Sequence, residues 1–197
     1  MAERKRKRNN LGEEGAGLGV VPETIHWTEF DTAVGTMRIA SSERGVVYLE
    51  LPLENGRGFF GWMKRHAPKA ELVKAFKPNR DYIAQVAEYL EGKRREFDLP
   101  LDVRGTEFQC QVYDQLSKIH YGELRSYGDV ASAIGRPNAV RAVGAANGAN
   151  PIALIIPCHR VIASSGHLQG YGGGLKLKAR LLAMEQSLPE STQGQLF

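Results

Sequence analysis

At 197 residues the chain is long enough for one large domain or two small ones, and its two cysteines, Cys110 and Cys158, argue against a disulfide scaffold and fit a reducing compartment. The net charge of +4 excludes little, because Arg4, Lys5, Arg6, Lys7 and Arg8 against Glu3 account for all of it and residues 11–197 are formally neutral. No apolar run approaches the roughly 18 residues that span a membrane, and no secretory apolar segment follows the start, so a soluble, cytoplasmic monomer is expected.

Residues 1–21 join the basic cluster to a Gly-rich run with almost nothing to bury, and are expected to be a disordered tail. Three short segments follow, Ile25 to Phe30, Gly35 to Ala40 and Val46 to Leu51, with turn signals at Asp31-Thr32 and Glu43-Arg44-Gly45. They predict a small antiparallel sheet. Phe59, Phe60, Trp62 and Met63 predict a short helix, and Tyr82, Ile83, Val86, Tyr89 and Leu90 predict a longer one over Asp81 to Arg95. This half holds no cysteine and only His26 and His66, so no metal site is expected.

Phe97 to Arg104 is the expected connection to a second domain. Thr106-Glu107-Phe108-Gln109 has the capping-box pattern of a helix start, and that helix should run from Glu107 to about Ile119, burying Phe108, Val112, Tyr113 and Leu116, with Cys110 as a packing residue. Ser126 to Ile134, a break at Gly135-Arg136-Pro137-Asn138 and Ala139 to Ala146 form a helix-turn-helix pattern. Its second helix consists mostly of Ala, Val and Gly. Base reading in the major groove needs several Arg, Asn or Gln, and only Arg141 and Asn147 are on offer, so this helix suits close approach better than sequence reading by a regulator. From Asp129 to Glu185 no acid interrupts Arg136, Arg141, Arg160, Lys176, Lys178 and Arg180, a pattern that predicts a phosphate-facing surface. The expected class is α/β (α+β): residues 22–100 a small antiparallel sheet with helix, residues 105–187 a mainly helical domain, and residues 188–197 a flexible tail.

Within the second domain, Asn150-Pro151-Ile152-Ala153-Leu154-Ile155-Ile156-Pro157-Cys158-His159 stands out. The β-branched run predicts a buried strand, and Pro157 forces a bend that displays Cys158. A thiol attacks as thiolate, which apolar surroundings disfavour unless a cation or donor compensates, and His159 is the obvious compensator. Neighbours on an extended chain face opposite ways, so a bridging water fits better than direct contact, and a simple Cys-His hydrolase is disfavoured. A core cysteine beside a surface histidine remains the structural alternative.

Pro157-Cys158-His159-Arg160-Val161, preceded by Asn150-Pro151 and followed by Gly170-Tyr171-Gly172-Gly173-Gly174, resembles the active-site signature of the O6-alkylguanine-DNA alkyltransferases. The likeness extends through Phe108-Gln109-Cys110-Gln111-Val112-Tyr113, Ser126-Tyr127 and Arg141-Ala142-Val143-Gly144. It implies single-turnover transfer of an alkyl group from O6-alkylguanine, and in some members O4-alkylthymine, in double-stranded DNA to Cys158, without a cofactor. The resemblance assigns Cys158, His159, Glu185 and Asn150 to catalysis, with His159 taking the thiol proton through water and Glu185 orienting its ring. Tyr127, Tyr171, Val161, Gly172 and Gly173 would surround the flipped base. Arg141 would fill its place in the stack, with Ala142, Gly144 and Ser164 along the minor-groove contact. Ala153 and Gly172 depart from members with proline and serine there, and Ala153 predicts a roomier pocket. Relatives lacking the cysteine only bind lesions; Cys158 is present. Finally, Gln193-Gly194-Gln195-Leu196-Phe197 resembles the peptides by which bacterial repair proteins dock on the sliding clamp.

Overall fold

In the computed structural model, residues 22–52 and 58–189 are described; the basic tail and the clamp-like peptide lie outside them. β1 (Thr24–Thr32), β2 (Gly35–Ser42) and β3 (Gly45–Glu50) pair antiparallel as the turn signals imply. A fourth strand, β4 (Glu71–Lys74), lies parallel to β1, so the sheet is mixed, in the order β3-β2-β1-β4, rather than antiparallel. Four residues with charged ends carry too little alternation to announce a strand. Its direction follows from α1 (Phe59–His66), which carries the chain from one sheet edge to the other.

The sheet buries both faces. Ile25, Ala40, Val47 and Tyr48 pack with Phe59 and Met63 of α1. Met37, Ile39, Val46 and Leu49 face the other way, into a core that continues without a break through Val86 and Tyr89 of α2 (Arg80–Leu90) to Val112, Ile152, Val161 and Leu181. Because the two halves share one core, side chains of the first half reach the interior of the second. α2 stops short of the predicted Arg95: Gly92 turns left-handed (φ 73°), where a Cβ is penalised, and the amides of Gly92 and Lys93 close back on the carbonyls of Tyr89 and Glu88. Gly45 has a different reason to be glycine, since a Cβ there would fall 2.2 Å from the Pro100 carbonyl oxygen, which accepts from the Val46 amide.

The second half holds α3 (Glu107–Leu116), α4 (Tyr127–Ala133), α5 (Val140–Gly148) and α6 (Gly174–Met184), with a two-residue parallel pair, β5 (Arg125–Ser126) and β6 (Val161–Ile162). Thr106 and Gln109 form the expected capping box on α3, and Ser126 and Asp129 form a second on α4. The predicted active-site strand is absent. Leu49 donates to the Pro151 carbonyl at 2.8 Å, which pairs one residue, Ile152, with β3; the chain then turns through Ala153–Ile156, with Leu154 at φ 72°, and Cys158–Arg160 form one 3-10 turn. The apolar character that implied a strand reflects burial alone, and burial without alternation does not distinguish a strand from a packed turn. Among the described residues no helix is long and apolar enough to cross a membrane.

Candidate active site

Cys158 is 4% exposed, at the start of its 3-10 turn. Burial pushes its thiol up, and the Asn150 side chain, the charge of Lys178 and the amides of Cys158 and His159 pull against that. The compensating cation is therefore Lys178 and not His159, whose own pKa burial lowers. Lys178 is fully buried, and Nζ donates to the carbonyls of Val161 (2.6 Å) and Gln169 (2.9 Å). Burial drops its pKa to about 8, with the Cys158 charge opposing.

His159, also fully buried, places Nε2 at 3.1 Å from Glu185 Oε1, while Nδ1 has no partner in the protein. Glu185, at the end of α6, accepts from Arg160 Nε and Nη2 at 2.8 to 3.2 Å and from the Tyr89 hydroxyl at 2.5 Å. Burial alone would raise this carboxyl, but the bonds from His159 and Arg160 outweigh it and hold the pKa at about 2. The basic stretch thus divides: Arg160 and Lys178 serve the interior, and only Arg136, Arg141, Lys176 and Arg180 are exposed. In sequence all six look alike.

Asn150 closes the Ile152–Ile156 turn, its Oδ1 accepting from the Ile152 amide (3.0 Å) and its Nδ2 donating to the Ile156 carbonyl (2.7 Å). Asn147, which the sequence offered as a base reader, is 3% exposed and donates to the Cys158 carbonyl at 3.3 Å. It faces inward because the buried side of α5 carries Val143, Ala146 and Asn147. On the opposite side Val140, Arg141, Ala142, Ala145 and Gly148 are exposed.

A cavity of about 490 Å³ opens between this side of α5 and the Gln169–Gly172 loop, lined also by Tyr127 and Tyr171. That volume lies within the range of small-molecule pockets. Tyr127 packs beside Gly144, and both Tyr127 and Tyr171 feel the Cys158 charge; burial raises both phenols. The Tyr171 hydroxyl is buried without a partner, and its ring meets His159 edge-on at 6.3 Å. Gly173 abuts Leu177 and Leu51, Val161 is fully buried, and Ser164 is exposed on the turn after β6. A second cleft of about 530 Å³ runs between the halves past Trp62, Arg65, Arg104, Asn150 and Ala153, and shares Gly148 and Gly172 with the first.

A buried thiol with a histidine-carboxylate pair thus lies beside a helix-turn-helix whose exposed helix is slim. Residues 25–103 match the 6-O-methylguanine DNA methyltransferase ribonuclease-like domain, and residues 107–187 match the DNA binding domain of the same family. The methylated-DNA-protein-cysteine methyltransferase of Mycobacterium tuberculosis H37Rv is 56% identical over 174 residues, covering 83% of this chain and 93% of that protein. The inducible one of Bacillus subtilis is 39% identical over 163 residues, covering 83% and 91%. The crystal structure of M. tuberculosis OGT in complex with DNA superposes with a TM-score of 0.68 and 40% identity, covering 84% of this chain and 96% of that one. The chain belongs to the methylated-DNA-protein-cysteine methyltransferase family, and acts as an O6-methylguanine DNA methyltransferase that repairs alkylated DNA.

Tyr89, which the sequence placed in a helix core, and Lys178, which it placed on a phosphate-facing surface, both lie in this cluster. Each carried a signal: a Tyr at an apolar helix position, and a Lys inside the apolar face of α6.

Proposed function

We propose that Cys158 is the alkyl acceptor and that His159 and Glu185 form its proton relay. The observation that carries this reading is the buried imidazole with Nε2 held by Glu185 and Nδ1 left without a protein partner. Nδ1 takes the thiol proton, directly or through one water, and the sulfur attacks the O6-methyl carbon. The carbon-sulfur bond forms as the carbon-oxygen bond breaks; the electron pair passes into the purine, whose ring nitrogen gains a proton. The products are S-methylcysteine and guanine. No water can readily cleave the thioether, so each molecule acts once.

The minor groove takes the exposed face of α5, and the damaged nucleotide swings into the 490 Å³ cavity. Arg141, on the rim, fills the stack; Tyr127 and Tyr171 flank the base, while Gly172, Gly173 and Val161 supply backbone. Ala142, Gly144 and Ser164 follow the groove. Asn150 and Lys178 hold the reactive turn, and Lys178 steadies the thiolate as it forms.

Intact mass after incubation with a duplex containing O6-methylguanine tests this. We expect a gain of about 14 Da on Cys158, absent in Cys158→Ala; a gain on Cys110, or none with the lesion still bound, rejects it. From its resemblance to clamp-docking peptides we also propose the Gln193–Phe197 segment as a docking element for a bacterial sliding clamp, and clamp titrations unaltered by deleting Leu196 and Phe197 would dismiss that partner.

A further inference from the structure

Tyr89 belongs to α2, in the first half of the chain, yet its hydroxyl lies inside the relay of the second, 2.5 Å from Glu185 Oε1 and 3.1 Å from His159 Nε2. The residue is fully buried, with its ring against Phe97 at 5.2 Å and Tyr121 at 6.4 Å. A phenol has one proton. The shorter contact and the carboxylate charge assign that proton to Glu185, so the phenol oxygen acts toward His159 as an acceptor. Nε2 then faces two acceptors, Glu185 Oε1 and Tyr89 Oη, each at 3.1 Å, and both are served only when Nε2 carries the hydrogen. The lone pair is left on Nδ1.

We propose that Tyr89 is a positioning residue for alkyl transfer: its hydroxyl clamps the Glu185 carboxylate and, with it, holds His159 in the tautomer whose Nδ1 receives the Cys158 proton. The role rests on the assignment of His159 and Glu185 to the relay. It makes the first half of the chain a contributor to the chemistry as well as a scaffold. The charged and titratable groups around His159 are Glu185, Arg160, Lys178, Cys158, Tyr89 and Tyr171. Only Tyr89 among them comes from outside residues 107–187. Burial keeps His159 neutral at rest, as a proton acceptor must be.

The test is the single-turnover rate of methyl transfer from an O6-methylguanine duplex across the neutral pH range for wild type, Tyr89→Phe and Glu185→Gln, alongside affinity for unmodified duplex and the ring-nitrogen NMR signals of His159. Phenylalanine preserves the ring. Tyr89→Phe should slow transfer roughly tenfold at unchanged DNA affinity. With one donor fewer on Glu185, His159 holds its proton more tightly, and the acid limb of the rate profile should move to higher pH. Its NMR signals should keep the Nε2–H pattern that the Glu185 acceptor imposes, with the Nε2 resonance shifted by the loss of the phenol oxygen. A wild-type rate and profile for Tyr89→Phe beside a slow Glu185→Gln would overturn the role of Tyr89 alone, and so would slowing matched by an equal loss of DNA binding. A wild-type rate for Glu185→Gln would overturn the relay itself.

Discussion

Among the described residues two carboxylates are buried, Asp102 at 7% and Glu185 at 2% exposure, and each ties together distant parts of the chain. Asp102, on the connection between the halves, accepts from Ser42 (2.8 Å), Arg44 (3.1 Å) and Arg104 (2.6 Å), which pins the connection to the β2–β3 turn. Both acids are depressed by their partners against the cost of burial. They differ in surroundings. Of the two arginines on Asp102, Arg104 is 12% exposed but Arg44 is 69% exposed and water can replace it cheaply, whereas the groups on Glu185 are an arginine 7% exposed, a sealed imidazole and a sealed phenol. The carboxylate that staples two segments is held by cations and a hydroxyl, whereas Glu185 is held besides by an imidazole able to change its protonation.

The largest expected difference between them is in stability. Glu185→Ala leaves the Arg160 charge buried and unpaired, and should cost about 3 to 5 kcal/mol in urea unfolding. A cost under about 1 kcal/mol would mean that water reaches Arg160 and that the two sites are alike.

The second difference is in acid. The folded pKa of Glu185, about 2, lies below the ordinary 4.5, so its contribution is fully present above pH 4.5 and is lost as pH falls toward 2. On the order of 3 kcal/mol should disappear across that window. Acid titration of the wild type should show it, and Glu185→Gln should flatten the same region; an unflattened curve would assign the acid limb to other carboxylates.

The smallest effect is expected at the staple. Asp102→Asn keeps part of the hydrogen bonding to Ser42 and Arg104, and should cost about 1 to 2 kcal/mol while the methyl-transfer rate stays at wild type. A slowed transfer in this variant would erase the distinction, because it would make the connection part of the chemistry.

Local pattern carried much of the fold. Alternation located β1 to β3, the Thr106–Gln109 box marked the start of α3, and the break at Gly135–Asn138 separated α4 from α5. Each depends on contacts within a few residues of one another. β4 escaped because its partner lies far along the chain, and the run before Cys158 was mistaken for a strand because buried turns and buried strands are equally apolar. In the site, the residues carried by the Cys158-His159-Arg160 motif were legible, but their electrostatic roles were not.

The sequence alone determined that one cysteine sits in an apolar bend beside a histidine, after a helix pair too slim to read bases, because those features are written in neighbouring residues and their sizes. Only the tertiary structure decided which charges go inside. Arg160 and Lys178 look like surface cations until Glu185 and the Val161 and Gln169 carbonyls converge on them, and Tyr89 looks like core until its hydroxyl meets a carboxylate from the other half of the chain. The worth of a charge depends on its distance and dielectric surroundings, and folding sets both.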